Sequence, residues 1–318
     1  MSTLSDHMRN GDAGPTDDHA DAAELADIGA DVGTDGPVDD DVTCVVQDLP
    51  ARLRVRAAEL AATINPVNSP FTQAGLPDGG LPDPADLAVL TSKYWGRRRR
   101  TLTVSFVEST AAELRQRILG HMNAWGIGVR FALTSGVGQV RISRAGQGYW
   151  SYLGTDILLI PRDRPTMNLQ GFTMATPERE YKRVVRHETG HTLGFPHEHL
   201  RRSLVGRLDV AKTIAYFRTT YGWSEQQTRS NVLTPLEESS IMGTPNADQD
   251  SIMCYQLPAQ ITKDGQPIRG GLDINLTDRG FARTIYPRFW PFVDQTDWDQ
   301  SADVSIESAL TQEHVTVG

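Results

Sequence analysis

Between positions 187 and 197 the chain reads His-Glu-Thr-Gly-His-Thr-Leu-Gly-Phe-Pro-His. On a helix, His187 and His191 project from one face and can grip a single ion, and imidazole is a preferred zinc ligand. Glu188 sits one residue round from the first ligand, placed to take a proton from metal-bound water rather than to bind the metal. Gly194 lets the chain leave the helix with positive φ and bring His197 back as a third ligand. Three protein ligands leave the fourth position of a tetrahedral zinc open, which is the pattern of a catalytic site rather than a structural one. One catalytic Zn2+ is therefore the expected cofactor.

Such a site needs a helix for its first two ligands and a frame to hold that helix. Thr176-Pro177-Glu178 reads as the helix start, with Thr176 as N-cap, Pro at the first position and an acid in the first turn. The helix then runs through Tyr181, Val184 and Val185 to His191, and Gly194 ends it. Upstream, the alternating, β-branched stretch 101–107 predicts a strand. Residues 110–125 predict an amphipathic helix with Leu114, Ile118, Met122 and Trp125 on one face. Further strands are expected at 129–133, 139–143 and 156–160, with a last short one in 169–174. Downstream, helices are expected over 210–221 and 277–286, the second with Thr277 as N-cap. This order gives a twisted sheet backed by two helices, then a subdomain poorer in strands, with a cleft between them for the metal.

The resemblance to known proteins rests on this motif and three neighbours. After His197 comes Glu198, giving Gly-Phe-Pro-His-Glu-His; Ser251-Ile252-Met253-Cys254-Tyr255 matches a Met-turn; and Trp150-Ser151-Tyr152-Leu153-Gly154 resembles a W-S-Y-x-G segment. Over about residues 90–290 the chain resembles the astacin branch of the metzincin zinc metallopeptidases. The resemblance implies an α+β, zincin-like fold, its sheet mainly antiparallel-edged, with two helices above a cleft and an irregular C-terminal subdomain. It implies that Met253 forms an apolar floor under the three imidazoles, and that Tyr255 approaches the zinc or stabilises the oxyanion. Met242 also follows Ser-Ile, but Thr244 stands where a tyrosine is needed, so Met253 is preferred. Glu198 would pair with a buried mature N-terminus if the chain is cut near residues 84–88, and otherwise with Arg201 or Arg202. Ser203, Leu204 and Val205 depart from the family pattern after the third ligand.

Composition bounds the rest. The chain has 318 residues, 39% of them hydrophobic, and a net charge of −9. Residues 1–43 hold 12 acidic residues and one basic residue, Arg9, so they carry −11, and the remainder carries 30 basic against 28 acidic residues. The expected organisation is an acidic, disordered tail over 1–43, a linker or pro-segment over 44–88, a catalytic domain over 89–290 split near 194, and a C-terminal tail over 291–318. A short helix is expected over 51–64. An acidic tail does not suit nucleic acid. No apolar stretch is long enough to span a membrane. No signal peptide is visible, so the expectation is a cytoplasmic protein by default, with secretion by another route left open. A monomer acting on protein or peptide substrates is expected.

Other residues read more plainly. Two cysteines, Cys44 and Cys254, imply no disulfide framework. Cys254 reads as a small packed residue. Cys44 could cap a zinc as a thiolate in the open position, a reading any unrelated cysteine would share. His199, just past the motif, reads as a neighbour of the site or a surface residue. The run Arg97–Arg100 reads as a solvated loop. Glu188 weighs against a zinc-retaining regulatory protein without turnover, since zinc retention needs no base. A hydrolase of non-peptide amides is the third reading.

Overall fold

The computed structural model describes residues 44–69, 92–236 and 246–288. The expected tails, residues 70–88 of the linker or pro-segment and Met242 lie outside these residues. Six strands form one sheet: β1 (Val45–Gln47), β2 (Arg100–Phe106), β3 (Val129–Leu133), β4 (Val140–Ser143), β5 (Tyr149–Tyr152) and β6 (Met167–Leu169), in the order β1-β5-β6-β4-β2-β3. All neighbours are parallel except β5 and β6. The expected antiparallel edge is therefore confined to β5, and β5 is itself covered by a parallel strand, β1, from the stretch read as linker or pro-segment.

Helix α1 (Arg54–Ile64) follows β1, close to the expected 51–64 helix, with a 3-10 turn over Ala51–Leu53 before it. Helix α2 (Ala112–Met122) turns Leu114, Ile118 and Met122 to the core, and a 3-10 turn carries Trp125 there too. The Trp125 indole N–H donates to the Arg186 carbonyl at 3.0 Å, pinning this corner to the zinc-motif helix. That helix, α3, runs from Glu178 to Thr192, with its middle, Tyr181–Val185, wound as a π-helix. Thr176 does not cap it: Pro177 is the N-cap, and the Thr176 hydroxyl instead accepts from the Thr173 N–H at 3.0 Å.

Two strand expectations shift. Residues 154–159 form a 3-10 helix rather than a strand, because Gly154, at φ +48°, turns the chain against Lys93, and the strand lies just before it as β5. The short last strand is centred earlier, at β6. In the second half, α4 (Val210–Tyr221) matches its expected span and is capped by Asp209. Helix α5 (Leu276–Ile285) is capped by Asn275, not Thr277, in a capping box with Asp278. Among the described residues no helix is long and apolar enough to cross a membrane.

Candidate metal centre

The exit from α3 shapes the site. Gly194 has φ +92°, as its place after the helix required, and a side chain there would run into the Lys93 carbonyl. The Phe195 N–H returns to the Gly190 carbonyl at 2.9 Å, and the Trp95 indole donates to the Thr192 carbonyl at 2.8 Å. The turn delivers His197 beside His187 and His191, and all three rings are buried. Their Nε2 atoms stand 3.3, 3.1 and 3.0 Å apart. The His187 Nδ1 lies 2.6 Å from the Ile252 carbonyl and the His191 Nδ1 2.8 Å from the Phe195 carbonyl. A carbonyl only accepts, so Nδ1 carries the proton in both rings and both Nε2 atoms present lone pairs.

Lone pairs converging in a buried space repel unless a cation sits among them. Ligands about 2.05 Å from a tetrahedral ion stand about 3.3 Å from one another, so the triangle fits zinc. Burial, the largest cause, pushes all three imidazoles well down from their usual range, His187 to about 4, so they are neutral as ligation requires.

The Met-turn holds this triangle from below. Its Ile252 carbonyl orients His187, and its Met253 carbonyl accepts the Glu198 N–H at 2.8 Å. The turn is itself tied to α5, where the Asp278 carboxylate accepts from the Ser251 hydroxyl at 2.6 Å and the Ile252 N–H at 3.0 Å. The Met253 sulfur packs where a side chain on Gly190 would have to go, which explains a glycine in mid-helix between two ligands.

Glu188 is fully buried, and burial pushes its carboxyl up to about 8. Among the described residues neither of its oxygens meets an N–H or O–H donor. Tyr255 packs against His197, ring centroids 4.3 Å apart and planes tilted by 57°, with its hydroxyl buried and without a hydrogen-bond partner among the described residues. Glu198 is pushed up to about 7 by burial; it accepts from the Asp248 N–H at 3.0 Å and pairs with Arg201 at 3.5 Å. A cleft of about 400 Å³ opens beside these groups, with Arg183, Tyr149 and Leu272 on its walls.

Among solved structures, one of myroilysin matches with 29% identity over 64% of this chain and 99% of that one, at a TM-score of 0.58. The chain is an astacin-like metzincin. A second myroilysin structure matches at 30% identity over 62% of this chain and 87% of that one, with a TM-score of 0.46. The hatching-enzyme zinc protease HCE-1 of the medaka fish Oryzias latipes matches at 19%, over 58% and 88%, with 0.39. No family model and no curated protein matches the sequence.

In this astacin-like chain the structure brings together all the residues singled out from the motif, and it adds one. Cys44 is buried with its sulfur in the cluster formed by His187, His191 and His197, the four ligand atoms all lying within 4.8 Å of one another. Burial, then the Glu188 carboxylate beside it, pushes the Cys44 thiol well up, so it is protonated until a metal takes it. A lone cysteine carries no spacing signal; the short β-branched run Val45-Val46 after it was the only local hint that it enters the sheet. His199 is also part of the site rather than the surface: it is fully buried and stacked on Tyr255.

Proposed function

We propose that the chain is a zinc-dependent endopeptidase whose own residues 44–69 hold it latent. The observation that carries the first part is the triangle of neutral imidazole nitrogens beside a buried, otherwise unpartnered Glu188. His187, His191 and His197 would hold one zinc ion. Bound there, zinc supplies Lewis acidity and lowers the pKa of water to about 7. Glu188, poised near neutrality by burial, takes the proton of the attacking water and returns it to the leaving amine. The Tyr255 hydroxyl, with no partner of its own, donates to the oxyanion of the cleaved carbonyl. The edge of β5 that β1 now covers would pair with extended peptide by strand addition. All ligands come from one chain, so a monomer suffices.

The second part rests on what covers β5. Strand β1 pairs with it in register, Val45 with Trp150, Val46 with Ser151 and Gln47 with Tyr152, and so takes the edge a substrate needs. The Cys44 sulfur lies with the three imidazole nitrogens, all four within 4.8 Å of one another, and would be a fourth ligand to an ion there. Farther along, the Asn68 side chain ties this segment to the frame, donating to the Tyr94 carbonyl and accepting the Tyr94 N–H, at 2.8 and 3.0 Å. Substrate and segment would compete for one edge, and the occupancy of that edge by β1 supports a pro-segment role for this stretch.

Cleavage of casein by the zinc-loaded protein, abolished by a chelator and restored by zinc, tests the peptidase. A Glu188→Gln protein that keeps its zinc and its full casein-cleaving rate would contradict it.

A further inference from the structure

His199 lies two residues beyond the third imidazole and is wholly buried. Its Nε2 is 2.9 Å from the Asn231 carbonyl, which makes Nε2–H the donor and fixes the ring's plane. The ring lies flat on Tyr255, with centroids 4.0 Å apart and planes 21° apart. Tyr255 also meets His197 at 4.3 Å, tilted by 57°, and the two imidazoles are themselves 5.0 Å apart. The three rings thus form one cluster in which Tyr255 packs against two imidazoles, one belonging to the metal cradle and one anchored to the helical stretch Arg229–Leu233. The His199 Nδ1 and the Tyr255 hydroxyl are both buried without a hydrogen-bond partner among the described residues. A phenol with no hydrogen bond to aim it is aimed only by what its ring packs on, and stacked rings prefer defined offsets.

We infer that His199 is a positioning residue for Tyr255: its ring is the plate that sets the direction of the Tyr255 hydroxyl. Asn231 locks the plate, and the plate acts on the reaction only through Tyr255. The inference rests on the peptidase reading for its kinetic consequence, though not for the stack itself. Phenylalanine at 199 keeps a flat plate without the lock. Alanine removes the plate, and glutamine removes the ring while keeping a donor for the Asn231 carbonyl.

Two measurements on the zinc-loaded full chain test it, with the same activation treatment for every variant. In the first, NMR of protein carrying 13C-labelled tyrosine reads the flip rate of the Tyr255 ring, assigned with Tyr255→Phe. The flip is expected to be slow in the wild type and His199→Phe and fast in His199→Ala. In the second, a double-mutant cycle reads kcat and KM on one peptide. His199→Ala is expected to lower kcat about tenfold with KM within about twofold, and His199→Phe to recover most of it. In the Tyr255→Phe background, His199→Ala is expected to cost less than about twofold more. Should the alanine variant not fold, His199→Gln enters the same cycle. Equal flip rates in the wild type and His199→Ala, or the same kcat loss from His199→Ala with and without the Tyr255 hydroxyl, would overturn the positioning role. Either result would leave casein cleavage, and so the peptidase reading, standing.

Discussion

Two stretches meet at the metal centre and are built in opposite ways. The first, residues 186–198, is local: ligands, base and exit glycine lie within a few turns, and backbone geometry alone brings them together. The second, residues 44–47, reaches the same point from far upstream and is placed by strand pairing with β5 and by packing with Leu204, Phe217, Tyr255 and Leu257. The contrast separates two jobs. Chemistry that must not vary is written into one helix and its exit. The contact that would have to be released, on the proposed latent reading, is made by a strand of three residues.

The difference can be broken from the local side first. Glu188→Gln keeps the imidazole triangle but removes the base, and kcat should fall about 10³-fold with zinc content unchanged, within the usual range for general-base loss. Zinc analysis alongside peptide kinetics checks it.

The frame under both stretches carries a pH signature. Asp156, paired with Lys93 at 3.4 Å, is pushed up to about 6 from 3.8, chiefly by burial. A carboxyl raised on folding holds its proton in the native state after the unfolded chain has released it. Stability from this group is therefore full below about pH 4 and is lost as pH rises through about 6, on the order of 3 kcal/mol. Denaturant unfolding at pH 4 and pH 7 should show that loss in the wild type and a smaller one in Asp156→Asn.

A smaller effect tests the packing beneath the helix. Gly190→Ala should raise helix propensity yet destabilise the protein by about 2 kcal/mol, because the new methyl meets the Met253 sulfur and the Trp125 ring. A melting temperature equal to or above the wild type would show that Met253 is not seated there.

How much could be read from the amino-acid sequence follows the same division. The zinc-motif helix, α4 and the strands over 100–106 and 129–133 came through because their periodicity or fixed spacing is local. The reading put a strand at 156–160, just after β5, since the pairing with β6 and β1 that makes 149–152 the strand is made across the fold. It read Thr277 as the α5 cap; Asn275 takes that place, in a capping box whose Asp278 carboxylate also serves the Met-turn, a contact made across the fold. Cys44 and His199 were weighed and set low. Their meaning lies in Tyr255 and the imidazoles, which only the tertiary structure sets beside them.

The central claim is that one centre holds both a zinc peptidase and its own stopper. It is tested most directly by the rate of chelator-sensitive casein cleavage by the full chain against its Cys44→Ala variant, at equal zinc content. Removing the thiol takes away one of the two contacts by which the segment would hold the site, and should raise the rate about tenfold. Equal rates in the two proteins would contradict the account.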